Sequence, residues 1–138
     1  MKKTVSTQKE FDAVVNSEFQ GFLYYNGADI LNIKQNYPNI SIHILGNSTA
    51  ILLNNSTANL RNNSSAYLRD NSKAYLLNNS TASLYNNSTA TLWNNSTASL
   101  YDNSSATLYN NSKAYLIDKI IIRNTFKFII LVWLTVFK

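Results

Sequence analysis

The sequence predicts an all-β fold: a parallel β-solenoid, in which short strands of one chain stack coil upon coil. Three observations predict it. Residues 47–118 are nine consecutive octapeptides of the pattern N-S-[T/S/K]-A-x-L-x-[N/D], without a gap. The period is even, so on a strand, where side chains alternate faces, each place of the octad always points the same way. The junctions read Asn-Asn-Ser or Asp-Asn-Ser, residues that tolerate left-handed backbone and bond their own main chain in turns. A helix fails the same test, because at roughly 100° per residue an octad is rotated by about 80° from the next and no apolar stripe survives.

Each octad therefore reads as a strand of about five residues and a corner. In the octad beginning at Asn79, Ser80, Ala82 and Leu84 face inward, and Thr81, Ser83 and Tyr85 face outward. One alanine and one leucine make no core, so the strands must stack about 4.8 Å apart and share backbone hydrogen bonds. Two octads per coil are expected. In a two-sided coil the facing strands run in opposite directions, so Ala82 meets Leu92 and Leu84 meets Ala90, small against large at both ends. Stacked corner asparagines would then form polar ladders.

The chain divides into residues 1–38, a small α+β cap; residues 39–118, the solenoid; and residues 119–138, an apolar C-terminal strand, cap or tail. Thr7-Gln8-Lys9-Glu10 is a capping box followed by Phe11, Val14 and Val15 on one helical face, which predicts a helix from about Gln8 to Asn16. Residues 21–25 read as a strand, Asn26-Gly27 as a type I′ turn, and residues 28–33 as the hairpin partner. Asn39 to Gly46 is a degenerate octad in phase with the repeat, with Ile40, Ile42 and Ile44 inward. It brings the count to ten octads, or five coils. Terminal repeats differ from the consensus because they close the core.

The repeat resembles the octad-repeat β-solenoid proteins of bacterial and phage sequences, of the N-[SA]-[ST]-x-[VL] kind. The likeness covers residues 47–118, with Ala-x-Leu where many of those proteins place a β-branched residue inside. It implies a fold and no particular activity.

The chain carries a net charge of +5, with seven of its twelve basic residues near the two ends and a nearly neutral repeat. That is no nucleic-acid stripe, and no nucleic-acid partner is expected. There is no cysteine, which removes disulfides and thiolate metal sites. The start, Met1 to Ser6, is basic but has no apolar run, so a secretory signal is not expected and a cytoplasmic or phage-particle location is the default. Residues 126–137 are nearly all apolar; a cap or contact for self-association, a membrane contact and a tail that is not natively folded all stay open for them.

No acid–base pair or nucleophile constellation appears, so a non-enzymatic scaffold is expected, with no cofactor and no metal. His43, the single histidine, takes an outward place and reads as a surface residue. Asp70, Asp102 and Asp118 close alternate octads along one edge; carboxylates so placed have calcium-bridging chemistry, and Asp replacing Asn at a corner explains the same residues. The candidate ligand surface is outward: Thr81, Thr89 and Thr97 at the third place, and Tyr85, Trp93, Tyr101 and Tyr109 at the seventh. Threonine ranks resemble the ice-binding faces of antifreeze solenoids, while aromatic ladders suit sugar rings or merely stabilise sheets.

Overall fold

The computed structural model describes residues 1–117. Its elements are β1 (Lys2–Val5), α1 (Gln8–Val15), β2 (Gly21–Tyr25), β3 (Ile30–Ile33), β4 (Ile40–Ile44), β5 (Thr49–Leu52) and β6 (Thr57–Arg61). There follow β7 (Ser65–Leu68), β8 (Lys73–Leu77), β9 (Thr81–Leu84), β10 (Thr89–Leu92), β11 (Thr97–Leu100), β12 (Ser105–Leu108) and β13 (Lys113–Leu116). The strands form two sheets among the described residues. The first runs β1-β2-β4-β6-β8-β10-β12 and the second β13-β11-β9-β7-β5-β3.

Every pairing is parallel, and within the repeat the register is sixteen residues: Thr89 pairs with Ser105 on the first sheet and Thr97 with Lys113 on the second. Each coil therefore holds two octads, one per sheet. The chain is a β-solenoid of about seven turns, with one short helix standing in the first turn where a strand of the second sheet would lie. The apolar column is continuous. Leu52, Leu68, Leu84 and Leu100 follow one another up the second sheet and Leu60, Leu76 and Leu92 up the first, all buried, with a parallel column of alanines beside each.

The corners follow from asparagine chemistry. The eighth residue of each octad from Asn54 to Asn110 has a positive φ, between 48° and 63°, and so does Gly46, which closes the degenerate octad at 61°. Asparagine and aspartate visit this left-handed region at less cost than other side chains. The second-place serine then turns inward. Its amide N–H donates to the carbonyl of the seventh place in every described octad but that of Ser80, as in Ser56 to Leu53 at 3.1 Å. Its hydroxyl, in the later coils, donates to a leucine carbonyl one coil below, as in Ser96 to Leu76 at 3.0 Å and Ser112 to Leu92 at 3.2 Å.

At the N-terminal end the capping box forms as expected: Glu10 N–H donates to Thr7 Oγ1 at 3.2 Å, and the Glu10 carboxylate accepts from the Thr7 and Ser6 amides. Those bonds, the Ser6 amide first, hold the Glu10 carboxyl below its usual range. Phe11 and Val14 are buried. The helix also closes a sheet edge. The Gln8 side-chain amide accepts from Asn32 N–H at 2.7 Å and donates to Asn32 C=O at 3.2 Å, so it bonds β3 as a neighbouring strand would.

Three expectations need correction. Residues 21–33 do not form a hairpin: β2 and β3 lie in opposite sheets, each pairing in parallel with the next coil through Gly21–Ile40 and Ile30–Thr49. A type I′ turn needs positive φ at both central residues, and neither Asn26 nor Gly27 has it. Gly27 is needed for close approach instead, since a Cβ there would collide with the Ser6 carbonyl and the Tyr25 ring. The leading residues, read only as a basic start, form β1 alongside β2, where Lys2 and Lys3 stand on the outer edge strand. The third correction is His43, which is outward but buried, at 5 % exposure. Tyr24, its neighbour on β2, stacks on the imidazole at 5.0 Å, and Phe22 leans on it at 5.8 Å.

Candidate ligand-binding surface

Each sheet presents three outward ranks, from the third, fifth and seventh places. The two-octad coil sorts the candidate residues between two faces. Thr81, Thr97, Tyr85 and Tyr101 belong to the second sheet's octads; Thr89, Trp93 and Tyr109 belong to the first sheet's. The seven do not form one site.

The seventh-place aromatics stack along the solenoid axis. Tyr85 and Tyr101 lie 4.5 Å apart with planes 9° from parallel, and Trp93 and Tyr109 lie 5.5 Å apart at 10°. Tyr75 extends the second stack, 6.2 Å from Trp93, and the Arg69 guanidinium sits over Tyr85 at 5.8 Å. In such an arrangement the ring faces are turned on one another. The Tyr85 faces go to Tyr101 and Arg69, and a sugar stacks on a free ring face. Ring stacks of this kind stabilise a sheet.

The threonine ranks are short. On the second sheet the third places run Thr49, Ser65, Thr81, Thr97, Lys113; on the first they run Thr57, Lys73, Thr89, Ser105. Consecutive threonines span two coils, at Thr81 and Thr97, before a lysine follows. The fifth places behave differently on the second sheet: Ile51, Tyr67, Ser83, Ser99, Tyr115. Small residues at Ser83 and Ser99 leave a trough of about 220 Å³ between the third and fifth ranks, lined by Ser65, Tyr67, Thr81, Ser83, Thr97 and Ser99 among others. Sequence reasoning missed Tyr67, Ser83 and Ser99 as a group. Their common spacing of sixteen was the available signal.

The corners carry the acidic candidates. Asn86 lies between the two aspartates: its amide N–H donates to Asp102 Oδ2 at 3.0 Å and its side-chain amide to Asp70 Oδ1 at 3.4 Å. The opposite corner holds an asparagine ladder, Asn110 donating to Asn94 at 2.7 Å and Asn94 to Asn78 at 3.3 Å. Asp118 lies outside the described residues, as does the apolar segment 119–138. Among the described residues no three His, Cys, Asp or Glu side chains gather in one place, and no helix is long and apolar enough to cross a membrane.

Among the described residues, His43 is a buried titratable group beside a cation. Its Nε2 lies 3.1 Å from Ser41 Oγ, and its Nδ1 is buried without a hydrogen-bond partner. Burial first, and the Arg61 charge second, push its pKa below the usual value.

The fold is that of a repeat β-solenoid with a sixteen-residue coil. Compared with known proteins, the chain matches no family model, no curated protein and no solved structure.

Proposed function

We propose that this chain is an octad-repeat solenoid of the bacterial and phage kind that works as a non-enzymatic scaffold, a stiff spacer or display element. The observation that supports this reading most is the uninterrupted sixteen-residue parallel register on both sheets. A structure whose coils repeat without insertion converts chain length into distance at a fixed rate, about 4.8 Å for each sixteen residues. Its outward faces are free to vary because its inward places are held by Ser, Ala and Leu.

The test is a coil-number series. Whole coils are added or removed in the middle of the repeat, and the separation of spin labels placed at Ser6 and Asn111 is measured. A spacer lengthens by about 4.8 Å per coil with its circular dichroism per repeat unchanged. Separations that do not follow coil number would refute the role.

A further inference from the structure

Three features of the trough on the second sheet bear on what it could hold. Its rim includes a tyrosine that does not belong to either aromatic ladder: Tyr67 is 45 % exposed and its register neighbours are Ile51 and Ser83. Its floor is a block of hydroxyls, Thr81, Ser83, Thr97 and Ser99, repeated in register on adjacent strands. And Tyr115, 52 % exposed, follows Ser99 in register, so the two serines lie between two tyrosines three coil steps, or roughly 14 Å, apart.

These features select a ligand class. No charged residue lines the trough. The flanking cations are Lys113, one step beyond Thr97, and Arg69, which is engaged over Tyr85. An anion is therefore poorly served. A peptide that adds as a strand needs free backbone groups, and those of β7, β9 and β11 are taken up in the parallel ladder on both sides. Ice needs a longer regular rank than two coils. What remains is a neutral molecule with hydroxyls to exchange bonds with the floor and a flat C–H face to lie on an aromatic ring. The coil rise is also close to the length of one hexose, so a sugar chain laid along the axis meets an equivalent pair of hydroxyls at each residue.

We propose that this trough binds a neutral, ribbon-shaped β-linked glycan along the solenoid axis. Tyr67 supplies the stacking face, and Thr81, Ser83, Thr97 and Ser99 supply the hydrogen bonds. The site is separate from the spacer role and would tell the rod what to attach to. It shares Thr81 and Thr97 with the sequence candidates but not Tyr85 and Tyr101, which stack on each other.

The experiment uses the full chain with cellohexaose as the probe, followed by calorimetry and by chemical-shift changes, with heparin as the charged control. Wild type binds cellohexaose. Y67A weakens it by roughly tenfold, the scale of one lost aromatic contact, and Y85A by less than about threefold. Ser83→Tyr fills the trough and abolishes binding; the fold accepts tyrosine at this rank, as at Tyr67 and Tyr115, so its melting curve stays that of wild type. No binding of cellohexaose, binding of heparin alone, or a folded Ser83→Tyr that binds like wild type would each overturn the proposal.

Discussion

Replacing Leu84 tests the inside–outside assignment on which everything else depends. Leu84 is fully buried on β9, between Leu68 and Leu100 in the leucine column. Leu84→Ala removes three carbons from a site whose neighbours above and below are held at the sheet spacing by backbone bonds. The gap cannot close, so the cavity contribution persists and the cost belongs in the upper part of the usual range, about 3–5 kcal/mol. Leu84→Asp adds a carboxylate with no partner. A domain of this size is stable by about 5–15 kcal/mol, so that variant is expected to be largely unfolded. Tyr85→Ser, one residue on, removes a ring stacked on Tyr101 and covered by Arg69, worth about 1 kcal/mol. Urea unfolding followed by far-ultraviolet circular dichroism compares the three midpoints. If Tyr85→Ser costs as much as Leu84→Ala, the face assignment and the argument from it are wrong.

Three further outcomes are expected. Both deletions lose the Asn86 bonds to Asp70 and Asp102, so register decides between them: deleting Asn79 to Asn94 removes one coil and keeps every later octad on its sheet, and melting should fall only modestly, whereas deleting Asn79 to Asn86 moves every later octad to the other face and should melt clearly lower. At Asn94, with φ of 51°, Asn94→Gly loses the ladder bonds to Asn78 and Asn110 but keeps the backbone conformation; Asn94→Ala adds about 1–2 kcal/mol of left-handed strain, so melting temperatures should run wild type, glycine, alanine. His43 has a folded pKa below its unfolded value of about 6.5, so the unfolded chain takes up its proton first as pH falls. Stability from this residue is complete above about pH 6.5 and is lost from there down through the folded pKa; His43→Phe should flatten the dependence of the urea midpoint on pH in that window.

The coil size was legible because it follows from arithmetic on the repeat: small-opposite-large pairing of Ala82 with Leu92 demands two facing strands, and ten octads divide by two. The left-handed corners were legible because asparagine chemistry is local. So was the helix, whose capping box lies within four consecutive residues. The first coils were not. Asn26-Gly27 is a strong local hairpin signal, but parallel pairing of β2 with β4 across nineteen residues removes the need for a tight turn, and nothing in an unrepeated segment announces that pairing. β1 offers one buried residue, Val5, and no alternation to detect. His43 followed the outward parity, but parity says which way a side chain points and not whether Tyr24 lies over it. The trough was missed for a similar reason. Tyr67, Ser83 and Ser99 are neighbours once the coil is wound, and a reading that followed conspicuous residue types passed over two serines.

The hydrogen bond that closes every described corner except the one at Ser80 also bears on how the protein ages. Asparagine followed by serine is chemically fragile: the serine amide nitrogen attacks the asparagine side-chain carbonyl, ammonia leaves as a cyclic imide closes, and water then opens the imide to a carboxylate. In this chain the nitrogen that would attack is already occupied. The amides of Ser48, Ser56, Ser64, Ser72, Ser88, Ser96, Ser104 and Ser112 all donate to the carbonyl three residues earlier, and the corner backbone is fixed by the coils on either side. At these eight corners a wound coil thereby protects its own first-place asparagine, and an opened one exposes it. New carboxylates accumulating at Asn55, Asn63, Asn71 and their counterparts would form a slow chemical clock of how often each coil comes undone.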